Sequence, residues 1–215
     1  ALEYVTRQPL TRVLWVSSNQ RLVHDAVRDV DALRPCDSTL TWGRFDGRPL
    51  TFMSYADFSN PAKRETCVEW LNGAPSALVL ADEAHALRHG GEIATRAMET
   101  LARARAHVLY STATPASSPA HLRYLPQLGL WGIGSPFHSF DEFSTALAKY
   151  GTTAMELVAL HLKSSGRAVS RQLAPHGLQF DLVQHTLTPG QRRLYDASVA
   201  TLAVCDERGG TAHQL

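Results

Sequence analysis

An α/β fold built on a largely parallel sheet is predicted by three features of the chain. Short apolar runs alternate with stretches of helical periodicity through the first half, the pattern of βαβ units. Each run ends, at its carboxyl side, in small or polar residues, and in open α/β sheets that edge is where ligands bind. The composition is that of a packed globular chain: 215 residues, 44% hydrophobic and 19% charged, with no run of 18 apolar residues. Disorder and membrane insertion are excluded on that ground.

The first strand is Val13 to Val16, followed by Ser17, Ser18 and Asn19, residue types that cap helices. Leu22, Val23, Ala26, Val27, Val30 and Leu33 then recur at helical spacing, predicting a helix over 20–34 that Pro35 stops. A second run, Leu50 to Met53, precedes Ser54 and Tyr55. A third, Ala77 to Ala81, precedes Asp82, and a fourth, His107 to Tyr110, precedes Ser111. Between the last two, Ile93, Ala97 and Leu101 mark one face of a helix.

After Pro115 the character changes. PASSP (115–119) reads as a loop, and LGLWGIGSPF (128–137) is rich in Gly and aromatic residues. Helices are expected at Phe140 to Lys149 and Thr153 to Leu162, divided at Gly151. Residues 177–187 alternate as a strand, with Leu178, Phe180 and Leu182 on one face. Thr188, Pro189 and Gln191 form a capping-box start for a helix to about Val204. The expected organisation is a sheet domain over 1–115, a mainly helical extension over 116–205 and a linker over 206–215.

Charge and cysteine content narrow the classes further. Twenty-one Lys and Arg against 20 Asp and Glu leave a net charge of +1, so any nucleic-acid contact must come from local patches. Cys36, Cys67 and Cys205 lie far apart without a C-x-x-C pair, which fits neither a disulfide framework nor a cysteine zinc site. A reducing, cytoplasmic interior is expected. The excess of Arg over Lys suggests a GC-rich, bacterial or mobile-element source, with a nuclear location if the source is eukaryotic.

The stretch that carries chemistry is ALVLADEAH, Ala77 to His85: an apolar strand ending on two adjacent carboxylates and a histidine. In nucleotide hydrolases such a strand end places one carboxylate to hold Mg²⁺ through its water shell and the next to orient or deprotonate the attacking water. Asp82 and Glu83 are the candidates, in that order. The alternative is a helix start capped by Asp82. His85 and His89 stand four residues apart, but H-E-x-x-H is absent, so His85 is expected to hydrogen-bond Thr112 or Thr114 instead of binding zinc.

These residues resemble the first motor lobe of superfamily 2 helicases. Asp82 to His85 match its D-E-A-H motif II, and Thr112, Ala113 and Thr114 its S/T-A-T motif III. VSSN (16–19) and MSY (53–55) fall where motifs Ia and Ib sit. Downstream, YSTATPASSPAHLRYLPQLGLWGIGSPFHSFDEF (110–143) and AMELVALHLKSSGRAVSRQL (154–173) are similar to the strawberry notch family of helicase-like ATPases. LTPGQRRLYD (187–196) resembles the exit from the first lobe in Swi/Snf-type motors.

The resemblance implies a RecA-like P-loop NTPase lobe with helices flanking a parallel sheet. It implies ATP and Mg²⁺ as cofactors, with Asp82 on the metal, Glu83 on the water, and His85, Thr112 and Thr114 relaying nucleotide state. It implies a DNA or RNA backbone as partner, met by Ser17, Ser18, Asn19, Ser54 and Tyr55, together with a second motor lobe and fused domains. No membrane partner is implied. The pattern G-x-x-x-x-G-K-[ST] does not occur in these 215 residues; in the family it precedes the strand matched by Val13 to Val16, so the chain is expected to be the central piece of a larger ATPase and inactive alone. A motor-fold scaffold without turnover, acting as a transcriptional or chromatin co-regulator, is the rival expectation.

Arg167 and Arg171 flank Ser170 in a short basic stretch that suits either phosphate or an ion pair with Glu156. Arg103 and Arg105, late in a helix, read as structural. The four tryptophans, Trp15, Trp42, Trp70 and Trp131, read as core or loop anchors.

Overall fold

The computed structural model describes residues 11–33, 41–45, 48–170 and 183–207. Five parallel strands form one sheet: β1 (Thr11–Ser17), β2 (Trp42–Gly43), β3 (Leu50–Ser54), β4 (Ser76–Ala81) and β5 (His107–Tyr110). Their order across the sheet is β2-β3-β1-β4-β5. With β1 paired to β3 on one side and β4 on the other, it is shielded on both edges. Both faces of β1 are covered as well, since Val13, Leu14 and Val16 are all buried. That is why it reads as a continuous apolar run and not as an alternation.

The register sorts residues between two faces. Val13 lies opposite Leu50 and Leu78, and these three pack with Val30 of α1 (Val23–Leu33). Leu14 lies opposite Val79, and Val16 opposite Met53 and Ala81; this face meets the larger core. Residues of α2 (Pro61–Asn72) and α3 (Glu92–Arg103) close it, with Cys67, Trp70, Leu71, Ala94, Ala97 and Leu101 buried. Burial pushes the Cys67 thiol up to about 12.

Helix starts follow their caps. Asn60 accepts from the N–H groups of Ala62 and Lys63 and Pro61 takes the first helical position, so α2 begins there although no periodicity announces it. The helix expected over 20–34 begins instead as a 3₁₀ turn, Gln20–Leu22, capped by Asn19, and becomes α-helical at Val23.

The chain divides into two compact units between Ser170 and Arg171, and not at residue 115 where the composition changes. Residues 116–170 belong to the first unit because they share its core. Leu122, Tyr124, Leu125 and Leu130 are buried with Phe143 and Leu147 of α4 (Phe140–Ala148) and with Ala154 and Leu162 of α5 (Gly151–Ser164). The LGLWG segment is anchored there: Trp131 packs against Phe140 and Phe143 at ring-centroid distances of 4.9 and 5.4 Å. Gly129 adopts φ +66°, and a Cβ on it would meet the Arg167 guanidinium at 2.6 Å. Arg167 donates to the Leu128 carbonyl at 2.6 Å, so it serves this loop.

In the second unit, α6 (Pro189–Glu207) starts at the Thr188–Gln191 capping box. The Thr188 N–H donates to Gln191 Oε1 at 2.9 Å, and the Gln191 N–H donates to Thr188 Oγ1 at 3.4 Å. Of the strand expected at 177–187, residues 177–182 lie outside the described residues, and 183–187 have no regular structure. Arg171 and the end of the expected linker, 208–215, are also outside them.

Candidate active site

The carboxyl end of β4 meets the ends of β1 and β5. The Asp82 N–H donates to the Val16 carbonyl at 2.7 Å, carrying the β1–β4 ladder one residue past Ala81. The Ser111 N–H donates to the Ala81 carbonyl at 2.8 Å and the Ala84 N–H to the Ser111 carbonyl at 3.0 Å. Asp82 and Glu83 therefore sit on a backbone pinned from both sides. Glu83 adopts φ 48° and ψ 42°, the left-handed region that a residue with a Cβ enters only at a cost of about 1–3 kcal/mol. That reversal turns the chain from β4 into the 3₁₀ turn Ala84–Leu87, with Ala84 fully buried.

Asp82 is held from two directions. Ser17 Oγ donates to its Oδ2 at 3.3 Å, and the Tyr55 hydroxyl donates to its carbonyl at 2.9 Å. Burial first, and then the negative charge of Asp82, push Tyr55 ionisation well above the usual phenol range. The hydroxyl therefore remains a donor at any physiological pH. His85 forms the next joint: its Nδ1 lies 3.2 Å from Glu83 Oε2 and 3.1 Å from Thr112 Oγ1. One ring nitrogen thus stands between the second carboxylate and the loop after β5.

That loop is braced from behind. Thr112 Oγ1 accepts from the Thr114 N–H at 3.2 Å, and the Tyr124 hydroxyl donates to the Pro115 carbonyl at 2.9 Å. Arg88 reaches the Thr114 carbonyl and Oγ1 at 3.4 and 3.5 Å, and its Nε donates to His89 at 2.9 Å. The His89 ring stacks edge-on against His121. Among the described residues no group of three or more His, Cys, Asp or Glu side chains is placed to hold a metal ion.

The family model described as P-loop containing NTP hydrolase pore-1 matches residues 3–197. Protein FORGETTER 1 of Arabidopsis thaliana is 29% identical over 214 residues, covering 87% of this chain. Protein strawberry notch of Drosophila melanogaster is 28% identical over 226 residues, covering 87%, and human protein strawberry notch homolog 2 is 30% identical over 203 residues, covering 86%. The chain belongs to the strawberry notch family. It spans 16%, 13% and 15% of the length of these three relatives, respectively.

Membership makes this a helicase-like P-loop NTPase domain on a parallel α/β sheet, a fold family that binds nucleotide. The relatives named are eukaryotic, so they lend no support to the bacterial source read from the Arg bias. Among the described residues no helix is long and apolar enough to cross a membrane.

Within the strawberry notch domain, three of the side chains expected to meet nucleic acid face the other way. Ser17 is fully buried on Asp82, Tyr55 is 4% exposed with its hydroxyl on the Asp82 carbonyl, and Ser54 is 6% exposed with its Oγ on Asp57. This corrects their reading as surface contacts: their hydroxyls are committed inside the fold. Ser18 and Asn19 are exposed, and Asn19 Oδ1 accepts from the Arg21 N–H at 2.9 Å. Arg88 escaped sequence reading, although a cation three positions past the DEAH histidine was its one available signal. Arg103 forms a forked pair with Glu65, both distances 2.6 Å, in keeping with a structural role.

Proposed function

We propose that this chain is part of the first motor lobe of a nucleic-acid-dependent ATPase of superfamily 2 helicase or translocase type. The observation that carries the reading is the Asp82–Glu83 pair at the end of β4, with Asp82 fixed by Ser17 and Tyr55 and Glu83 joined through His85 to Thr112.

Mg²⁺ fits this donor set, because a hard, strongly hydrated cation is commonly held by one or two carboxylates together with substrate phosphate and water. Asp82 would hold it through the water shell, and the ion when bound supplies charge neutralisation on the phosphates. Glu83 accepts the proton of the water that attacks the γ-phosphorus in line, as the bond to the β–γ bridging oxygen breaks to leave ADP and phosphate. Ser17 on its carboxylate and Tyr55 on its backbone carbonyl hold Asp82 in place, so that positioning is preorganised. His85 Nδ1–H donates to Glu83 or to Thr112, and a change of partner is a path by which nucleotide state reaches the loop after β5. Thr112 and Thr114 pass that change toward the exposed strand-end edge at Ser18 and Asn19.

The family's length leaves room for a second motor lobe and fused domains beside this one. In the intact protein Glu83→Gln should retain ATP binding and lose roughly 10²–10⁴-fold in turnover, since an amide cannot take the water's proton. Equilibrium binding of a fluorescent ATP analogue beside steady-state phosphate release measures both. Turnover at the wild-type rate would remove Glu83 from the mechanism.

A further inference from the structure

With Ser17, Ser54 and Tyr55 turned inward, the strand-end edge offers a strand other groups. A cleft of about 460 Å³ opens on the β2–β3 side of the sheet, lined in part by Gln20, Arg44, Phe45, Asp57, Lys63 and Thr66. Three chain segments distant in sequence meet there: the turn after β1, the residues after β2 and the first turns of α2. Its size lies within the range that receives a small ligand or one nucleotide unit.

Its charge is uneven. Arg44 is exposed and has no hydrogen bond or ion pair among the described residues. Lys63 pairs with Asp57, whose Oδ2 is already taken by the Ser54 N–H and Oγ, both at 2.8 Å. The carboxylate is thus consumed in holding Ser54 and Lys63, and Arg44 is the rim cation without a partner among the described residues. Gln20 follows directly on the exposed Ser18 and Asn19, so the cleft continues the edge proposed above for nucleic acid. Phe45 is half-buried and packs edge-on against Trp70, giving the cleft one apolar wall against which a sugar can lie.

We infer that this cleft is a phosphodiester subsite for a single strand, with Arg44 as its cation and Lys63 and Gln20 as further donors. The inference rests on the nucleic-acid reading above and adds residues that none of the helicase-type motifs contains. A guanidinium forks onto phosphate oxygens, whereas contact with the backbone reads no base, so the subsite strengthens binding without selecting sequence.

The test is fluorescence anisotropy of labelled single-stranded DNA and RNA oligonucleotides on the intact protein over a salt series. Arg44→Gln should weaken binding alike for different base sequences and lower the slope of log affinity against log salt by about 0.7, the value for one single-strand phosphate contact. Lys63→Gln, which removes a charge that Asp57 already offsets, should change the slope less than Arg44→Gln does, and Arg44→Lys should keep the wild-type slope. Circular dichroism melting confirms that each variant is folded. If wild-type protein binds with a salt-dependent affinity that Arg44→Gln reproduces, the subsite is wrong and the nucleic-acid reading stands. If wild-type protein binds neither DNA nor RNA, that reading fails and the subsite falls with it.

Discussion

At the scale of single residues, the site is governed by which way a few hydroxyls point. Tyr55 and Ser17 sit at strand ends among small polar neighbours, a context that is the same in sequence whether the side chain faces water or the core. Only the cover supplied by distant elements decides it, and here that cover turns both onto Asp82. Tyr55→Phe should therefore lower stability by about 1–2 kcal/mol, by leaving the Asp82 carbonyl without its donor, and should reduce turnover as the aspartate loosens. Chemical denaturation and phosphate release measure the two. The pH dependence has a definite sign. Burial raises the ionisation of Tyr55, Tyr110 and Tyr124, the last to about 12, and that of Cys67 to about 12, against ordinary values of 10.0 and 9.0. The folded state then holds protons that the unfolded state releases, so stability is complete below about pH 9 and is lost as pH rises above it. A melting temperature that held level from pH 8 to pH 11 would contradict this burial.

At the scale of elements, β1, β3 and β4 were legible because buried parallel strands are unbroken apolar runs with small or polar ends, and the half-exposed edge strand β5 was legible as a short apolar run before Ser111. The site motif was legible for the same reason, since Asp82 and Glu83 interrupt such a run. What escaped has a physical cause in each case. β2 is two residues long, Trp42–Gly43, and no pattern can announce it. α2, PAKRETCVEWLN, carries charges around its first two turns and buries side chains only from Cys67 onward, so its periodicity is weak and its cap at Asn60 is the better signal. No break in packing falls at 115, because a change in composition is not a change in packing: the aromatic cluster around Phe143 ties 116–170 into the sheet's core. Phe143→Ala should cost about 3–5 kcal/mol, and protection of amides in 122–162 should fall first in hydrogen exchange. Uniform loss across the sheet and this region would mean the cluster is not a separable support. The loop after β5 offers a functional counterpart. Replacing Thr112 and Thr114 by Ala should leave hydrolysis running while strand displacement falls, because the substitutions cut the proposed relay that starts from His85 through Thr112 and Thr114. Equal loss of both activities would reduce the threonines to scaffolding.

At the scale of the whole chain, a net charge of +1 gives this lobe no bulk attraction to nucleic acid. Attraction comes from local groups such as Arg44, so the affinity of this lobe should depend weakly on salt, with about 2–4 counterions released. Association should vary little among base sequences, as backbone contacts dictate. One sheet edge carries both halves of the proposed activity: carboxylates for hydrolysis at β4 and a nucleic-acid path by the ends of β1 and β3, linked through Asp82 to Ser17 and Tyr55. Coupling between those halves is the central claim, and the most direct measurement is the ATP turnover of the intact protein with and without single- and double-stranded DNA and RNA. The expected result is a basal rate that rises severalfold with at least one of these strands and falls roughly 10²–10⁴-fold in Glu83→Gln under every condition. A rate that no nucleic acid changes, or hydrolysis at the wild-type rate in Glu83→Gln, would contradict it.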